Sequence, residues 1–177
     1  TDRHYIKEFE ADTNLLAHMI VDTSGSMEFA DKGISKIEFA RQIAATLSYL
    51  AVHQGDAAGL SCISKKLDLE IPPRRRASHL QSIFKTLSEI SPKGETGLID
   101  GLHALAEKVR RRGLIIILSD LFCDPDAFSD ALQHLRYRKH DVVVFHLMDP
   151  QEIDFEFERP HRFVDLEDGS PIVAEPT

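Results

Sequence analysis

Apolar runs alternate with amphipathic segments along most of the chain. Four runs are almost wholly apolar and predict buried strands: 14–21, 57–64, 114–118 and 142–147. The segments between them repeat apolar residues every three or four positions, which predicts helices. Three of these helices start near residues that suit a helix start: Ser35, Ser78, and Asp124 or Asp126. Because strands without a polar side must be covered on both faces, the pattern predicts a doubly wound α/β domain with a mostly parallel sheet.

Shorter segments alternate apolar and polar residues, as strands with one exposed side do. Residues 5–10 predict a half-buried edge strand, and residues 67–71 predict an antiparallel hairpin partner for the strand at 57–64, closed by Pro72 and Pro73. Near the end of the chain, residues 162–166 and 171–173 predict a hairpin about an Asp-Gly turn at 168–169. The predicted sheet therefore has an antiparallel edge strand.

Composition narrows the class of protein. The 177 residues, 42% of them hydrophobic, suit a single domain over 1–177. Acidic residues outnumber basic ones by 29 to 21, which argues against nucleic acid and anionic membranes as partners. Cys62 and Cys123 lack metal-ligand spacing, so we interpret them as buried thiols in a reducing compartment. No apolar run approaches the roughly 18 residues of a membrane span, and we expect cytoplasmic localisation.

Acidic and hydroxyl residues follow two of the predicted strands. Asp22 and Asp120 stand at strand ends, and the sequence Asp22-x-Ser24-x-Ser26 offers two hydroxyls at alternate positions. Because ligand sites in open parallel sheets form beyond the carboxyl ends of the strands, these oxygens are expected to converge. Thr96 precedes another predicted helix and can bring a further hydroxyl to the same edge.

Short oxygen ligands with few negative charges suit a hard divalent cation, Mg²⁺ above all, with Mn²⁺ or Ca²⁺ as alternatives. Such a site would leave the coordination of the cation incomplete, and the vacant position would favour a carboxylate from a protein partner. Other interpretations stay open at this point. Asp22, Ser24 and Ser26 could form a turn with local hydrogen bonds, Thr96 could cap a helix, and Asp120 could cap the following loop.

The sequence also leaves two other functions open. One is a Mg²⁺-dependent phosphotransfer enzyme that uses Asp22, since acids at strand ends of α/β sheets bind metal and phosphate. Against it, position 24 is a serine rather than a second acid, and the chain has no phosphate-binding loop of the P-loop type. The other is a metal-free scaffold. We predict a binding module with no catalytic residues.

Residues 20–27, which read IVDTSGSM, resemble the first motif of von Willebrand factor A-type domains. The resemblance implies a metal-ion-dependent adhesion site, with Asp22, Ser24 and Ser26 on its first loop, Thr96 on its second and Asp120 on its third. It also implies the Rossmann-like fold predicted above. The third motif usually reads Asp-Gly, whereas Leu121 follows Asp120 in this chain.

Further stretches resemble one bacterial branch, the DUF58 proteins of the MoxR-associated kind. They lie at residues 5–10, 118–121, 149–152 and 165–169. The resemblance implies that a parent protein works beside a MoxR-type AAA+ ATPase in the maturation or assembly of other proteins. Such proteins usually have a segment before this region, so we expect the chain to be a fragment of a longer DUF58-type protein.

Overall fold

The computed structural model describes residues 14–31, 33–154, 161–164 and 171–174. Within them, five strands form one sheet in the order β3-β2-β1-β4-β5. Their bounds are β1 Leu16–Asp22, β2 Ala57–Ile63, β3 Leu67–Arg74, β4 Leu114–Ser119 and β5 Asp141–His146. All neighbouring pairs are parallel except β2 and β3. The predicted mostly parallel sheet with an antiparallel edge strand is confirmed.

Helices cover both faces of this sheet. They are α1 Lys36–His53, α2 Ala77–Glu89, α3 Leu98–Lys108, α4 Pro125–Tyr137 and the short α5 Pro150–Asp154. Successive residues of β1 point to opposite faces, so Met19 and Val21 pack in the core beneath α1 and α2, while Ile20 packs in the core beneath α3 and α4. All three side chains are fully buried. The doubly wound arrangement is therefore confirmed, and it fixes the edge at which β1 and β4 end.

Two predicted helix caps are confirmed and one helix start differs. The Ser35 hydroxyl accepts from the backbone N–H of Glu38 at 3.4 Å, and the Asp124 carboxylate accepts from the N–H of Ala127 at 2.8 Å. Helix α2 begins at Ala77, one residue before Ser78, and it has no side-chain cap.

Strand β3 runs through Pro72 and Pro73, which were expected to end it. An edge strand tolerates proline because its outward N–H groups need no partner. The partner strand accommodates them at Gly59, where a Cβ would lie 2.8 Å from the nitrogen of Pro73. The register between β2 and β3 shifts at this point. At Gly59 the backbones of β2 and β3 thus approach each other closely, and their regular register is interrupted.

Strand β5 corrects a further expectation, because residues 142–147 were expected to form a fully buried strand. Its side chains are half-buried or exposed, with Val143 42% exposed, since β5 lies at the end of the described sheet. The expected strand at 5–10 lies outside the described residues. Near the chain end, β6 His161–Val164 and β7 Pro171–Ala174 pair antiparallel, as predicted, while the Asp-Gly turn between them lies outside the described residues. No helix in the described ranges is long and apolar enough to cross a membrane.

His18 in the central strand β1 is a buried histidine, 7% exposed. Among the described residues, its Nε2 has no hydrogen-bond partner. Burial, together with a smaller contribution from the nearby His140, lowers the pKa of His18 to about 4, and Glu70 opposes this shift. The imidazole is therefore neutral in the folded protein at neutral pH, whereas in the unfolded chain it takes up a proton near its ordinary pKa.

We expect the free energy of unfolding to fall as the pH drops from above 6.5 towards about 4, by up to about 3 kcal/mol from His18 alone. The unfolded chain binds a proton over this range that the folded protein excludes. Urea unfolding of wild type and His18→Leu at about pH 7.5, 6, 5 and 4 measures this pH dependence. In the variant, the free energy of unfolding should fall less steeply with decreasing pH. The exposed His53→Leu is the matched control. Equal slopes for all three proteins would contradict the assignment.

Candidate metal centre

Asp22, the last residue of β1, carries a carboxylate at the carboxyl edge of the sheet. Its side chain is buried, at 1% exposure. Oδ1 accepts a hydrogen bond from the backbone N–H of Ser24 at 2.9 Å, and Oδ2 accepts one from the hydroxyl of Ser119 at 2.6 Å. Ser119 is the last residue of β4, so the ends of the two neighbouring strands meet at this carboxylate.

The electrostatics of Asp22 are unfavourable for a charged group. Burial raises the pKa of Asp22, and the nearby Asp120 carboxylate adds to the rise, while the hydrogen bonds from Ser119 and Ser24 oppose it. No basic side chain within the described part of the chain forms an ion pair with Asp22. The site therefore holds a buried acid whose charge is only partly compensated by hydrogen bonds.

Two hydroxyls stand beside this carboxylate. The Oγ atoms of Ser24 and Ser26 lie 3.1 Å apart, at the start of a 3-10 helix (Gly25–Glu28). The loop is held against the end of β2 by a hydrogen bond from the Thr23 N–H to the Ile63 carbonyl at 2.7 Å. Asp22, Ser24 and Ser26 thus lie together on the first loop.

The second predicted loop is joined to the first through the backbone. The Gly25 N–H donates to the Gly94 carbonyl at 2.9 Å, and the Lys93 N–H donates to the Thr23 carbonyl at 3.0 Å. Thr96 lies two residues beyond Gly94, and its hydroxyl accepts from the N–H of Leu98 at 3.4 Å, at the start of α3. The structure therefore places Thr96 on a loop attached to the Asp22 loop.

Gly97 holds this second loop close to the turn between β2 and β3. Its N–H donates to the Ser64 carbonyl, and a Cβ at this position would lie 2.1 Å from the carbonyl oxygen of Lys65. Because that neighbour is backbone, no side-chain movement can make room. Glycine is needed here for the close approach of the chain that positions Thr96.

The third loop carries Asp120, whose side chain is only 6% exposed. Oδ2 accepts from the Lys36 ammonium at 2.8 Å, and Oδ1 accepts from the Phe122 N–H at 3.4 Å. Leu121 has φ 56°, the left-handed conformation that glycine adopts readily. The loop thus takes up a glycine-type backbone without the glycine that the third motif usually has.

Three site residues escaped the sequence interpretation: Lys36, Ser119 and Glu152. Lys36 is the first residue of α1. Its ammonium contacts Asp120 and also lies 2.7 Å from Glu152 Oε1. A lysine at a helix start interacts unfavourably with the helix dipole, so a lysine directly after the Ser35 cap was the sequence signal for another role of Lys36. For Ser119, the only signal in the sequence was its position as a polar residue directly after the apolar run 114–118. Nothing in the sequence signals that Glu152 lies close to α1.

The donor set fits a hard divalent cation. It consists of carboxylate and hydroxyl oxygens. Within the described ranges, no three or more His, Cys, Asp or Glu side chains are grouped so that they alone could hold a metal. A site here would therefore depend on hydroxyl oxygens for much of its coordination. That composition suits Mg²⁺ or Mn²⁺ rather than zinc, which prefers imidazole and thiolate ligands.

Solved bacterial structures share the fold of this chain. BatB from Bacteroides thetaiotaomicron is 19% identical, with a TM-score of 0.64 over 91% of this chain and 80% of its own. An aerotolerance-related membrane protein from Bacteroides fragilis is also 19% identical, with the same TM-score over 91% and 81% of the two chains. At this identity the likeness supports the fold alone.

The sequence relatives include uncharacterized protein Rv1480 from Mycobacterium tuberculosis and uncharacterized protein Mb1516 from Mycobacterium bovis. Each is 26% identical over 157 residues, which make up 87% of this chain and 49% of the relative. The chain thus spans about half the length of these relatives. The family model described as "Protein of unknown function DUF58" matches residues 1–175. The chain belongs to the DUF58 family.

Proposed function

We propose that this chain is a von Willebrand factor A-type binding module with a metal-ion-dependent adhesion site. Asp22, Ser24 and Ser26 would hold the cation together with Thr96 and Asp120. The observation that carries the proposal is the buried Asp22 carboxylate, which lies beside two hydroxyls and has no basic partner among the described residues. A cation supplies the positive charge that this acid lacks.

Protein recognition is the chemistry that such a site supports best. A bound Mg²⁺ would supply positive charge and an open coordination position for a carboxylate of a protein partner. The role of this chain's own residues is to hold the oxygen ligands at the edge of the sheet, where a partner has access. We propose no catalytic role for any residue, because position 24 provides a hydroxyl and not a second acid.

The partner protein belongs to the proposal as well. Membership in DUF58, together with the resemblance to its MoxR-associated kind, supports a MoxR-type AAA+ ATPase as a companion in the maturation or assembly of other proteins. The substrate protein would then present an Asp or Glu to the metal. Because the chain spans about half the length of its curated relatives, this assignment concerns the parent protein as well as this chain.

Titration of Mg²⁺ and Mn²⁺ into the protein tests the metal site. We expect saturable one-site binding by calorimetry and a rise in the thermal midpoint, both lost in Asp22→Ala/Ser24→Ala. Asp126→Ala is the matched control, since it removes an exposed acid near the third loop and should bind as wild type does. The absence of binding to wild type would sink the proposal. Metal-dependent turnover of a phosphate ester, lost in Asp22→Ala, would favour the phosphotransfer enzyme instead.

A second prediction follows from the burial of Asp22. In chelator, Asp22→Asn should be more stable than wild type at neutral pH, because the raised pKa of Asp22 means that folding disfavours its charged form. A raised acid pKa gives stability that is present at low pH and lost as the pH rises through the folded pKa, so the difference should shrink on acidification.

Urea unfolding in chelator and in Mg²⁺ at several pH values measures both effects. Saturating Mg²⁺ should stabilise wild type and leave Asp22→Asn unchanged, because the neutral amide removes the one acid of the site that has no cation of its own among the described residues. The exposed Asp126→Asn serves as the control for loss of one negative charge. If Asp22→Asn is the less stable protein throughout the pH range in chelator, the charge of Asp22 is stabilised by its hydrogen bonds alone.

A further inference from the structure

A lysine is buried at the candidate metal centre. The side chains of Lys36 and Asp120 are 5% and 6% exposed, and the ammonium lies 2.8 Å from Asp120 Oδ2. The same ammonium lies 2.7 Å from Glu152 Oε1, whose side chain is 34% exposed. One of the predicted metal ligands is therefore already paired with a cation that belongs to the protein.

We infer that Lys36 is an internal counter-cation that competes with the divalent ion for Asp120 and so lowers the metal affinity of the site. The inference rests on the proposed function, which it deepens by assigning a residue that regulates occupancy. In the metal-free protein the ammonium neutralises Asp120. A bound divalent cation has to share that carboxylate with the ammonium.

The backbone positions Lys36 for this role. Lys36 is the first residue of α1 after the Ser35 cap, and its N–H donates to the Phe29 carbonyl at 3.2 Å. Its ammonium also lies 5.6 Å from the centre of the Phe29 ring. Because a positive charge at a helix start opposes the helix dipole, the helix itself gains nothing from a lysine there. The carboxylates account for the buried position.

Electrostatics give the sign of the effect. Two cations that share one carboxylate repel each other, and the repulsion is strong where water is excluded. By linkage, Lys36 weakens the binding of the metal by the same free energy by which the bound metal weakens the Lys36–Asp120 ion pair. Glu152 acts in the opposite direction, because its negative charge offsets the ammonium. Loss of Lys36 should tighten metal binding, and loss of the Glu152 charge should weaken it.

Calorimetric titration of Mn²⁺ into the folded proteins tests the inference. Lys36→Met keeps the aliphatic stem and removes the charge, and we expect at least about tenfold tighter binding than in wild type. Lys65→Met is the matched control, since Lys65 is an exposed lysine, paired with Glu95 next to Thr96, and its charge is screened by water. An affinity of Lys36→Met no higher than that of Lys65→Met overturns the inference.

A second variant covers the case in which Lys36→Met does not fold, since removing one partner of a buried pair is costly. Glu152→Gln changes a partly exposed side chain and should bind Mn²⁺ about threefold more weakly than wild type. Circular dichroism establishes that each variant is folded. If Lys36→Met is unfolded, unchanged or tighter binding by Glu152→Gln overturns the inference.

The outcomes also separate this inference from the proposed function. Binding by wild type with no gain in Lys36→Met leaves the metal site standing and removes the role of Lys36. Binding by Lys36→Met alone supports the counter-cation and overturns metal dependence of the native protein. If neither wild type nor any folded variant binds Mn²⁺, both are overturned.

Discussion

The buried carboxylate of Asp22 is the constraint on which the rest of the site depends. A charged group at 1% exposure has lost nearly all of its contact with water, and the protein compensates with the Ser24 N–H and the Ser119 hydroxyl. Those two donors tie the end of β1 to its own loop and to the end of β4. The shape of the carboxyl edge therefore follows from the need to solvate one acid.

The apolar strands make that arrangement rigid. β1 lies at the centre of the sheet between β2 and β4, and its side chains fill cores on both faces. A central strand so enclosed cannot slide without exposing apolar residues, so Asp22 has a fixed position. Loops that leave neighbouring strands at the same edge can then be joined by hydrogen bonds such as that from Gly25 to Gly94.

Charge at this edge is balanced locally rather than by solvent. Asp120 is paired with Lys36, whose second partner Glu152 brings α5 to the start of α1, whereas Asp22 has hydrogen bonds but no ion pair among the described residues. The two acids of the site thus differ in what compensates them. Under the proposed function, Asp22 would be the acid that lacks a cation, and Asp120 the acid that already has one in Lys36.

Much of the fold could be predicted because it depends on local patterns. Almost wholly apolar runs predicted β1, β2 and β4, and Ser35 and Asp124 predicted two helix starts. The course of β3 through Pro72 and the exposure of β5 escaped prediction, since both depend on which strands lie at an edge. Strand order is a property of the assembled sheet and leaves little trace in composition.

The candidate site divides in the same way. The sequence by itself determined which oxygen-bearing side chains share the first loop, because Asp22, Ser24 and Ser26 lie within five consecutive positions and a short turn holds them together. Only the tertiary structure decided that Asp120 and Glu152 meet at Lys36, since they lie 84 and 116 positions from it along the chain. Contacts over such distances arise from the packing of whole elements, which no local pattern encodes.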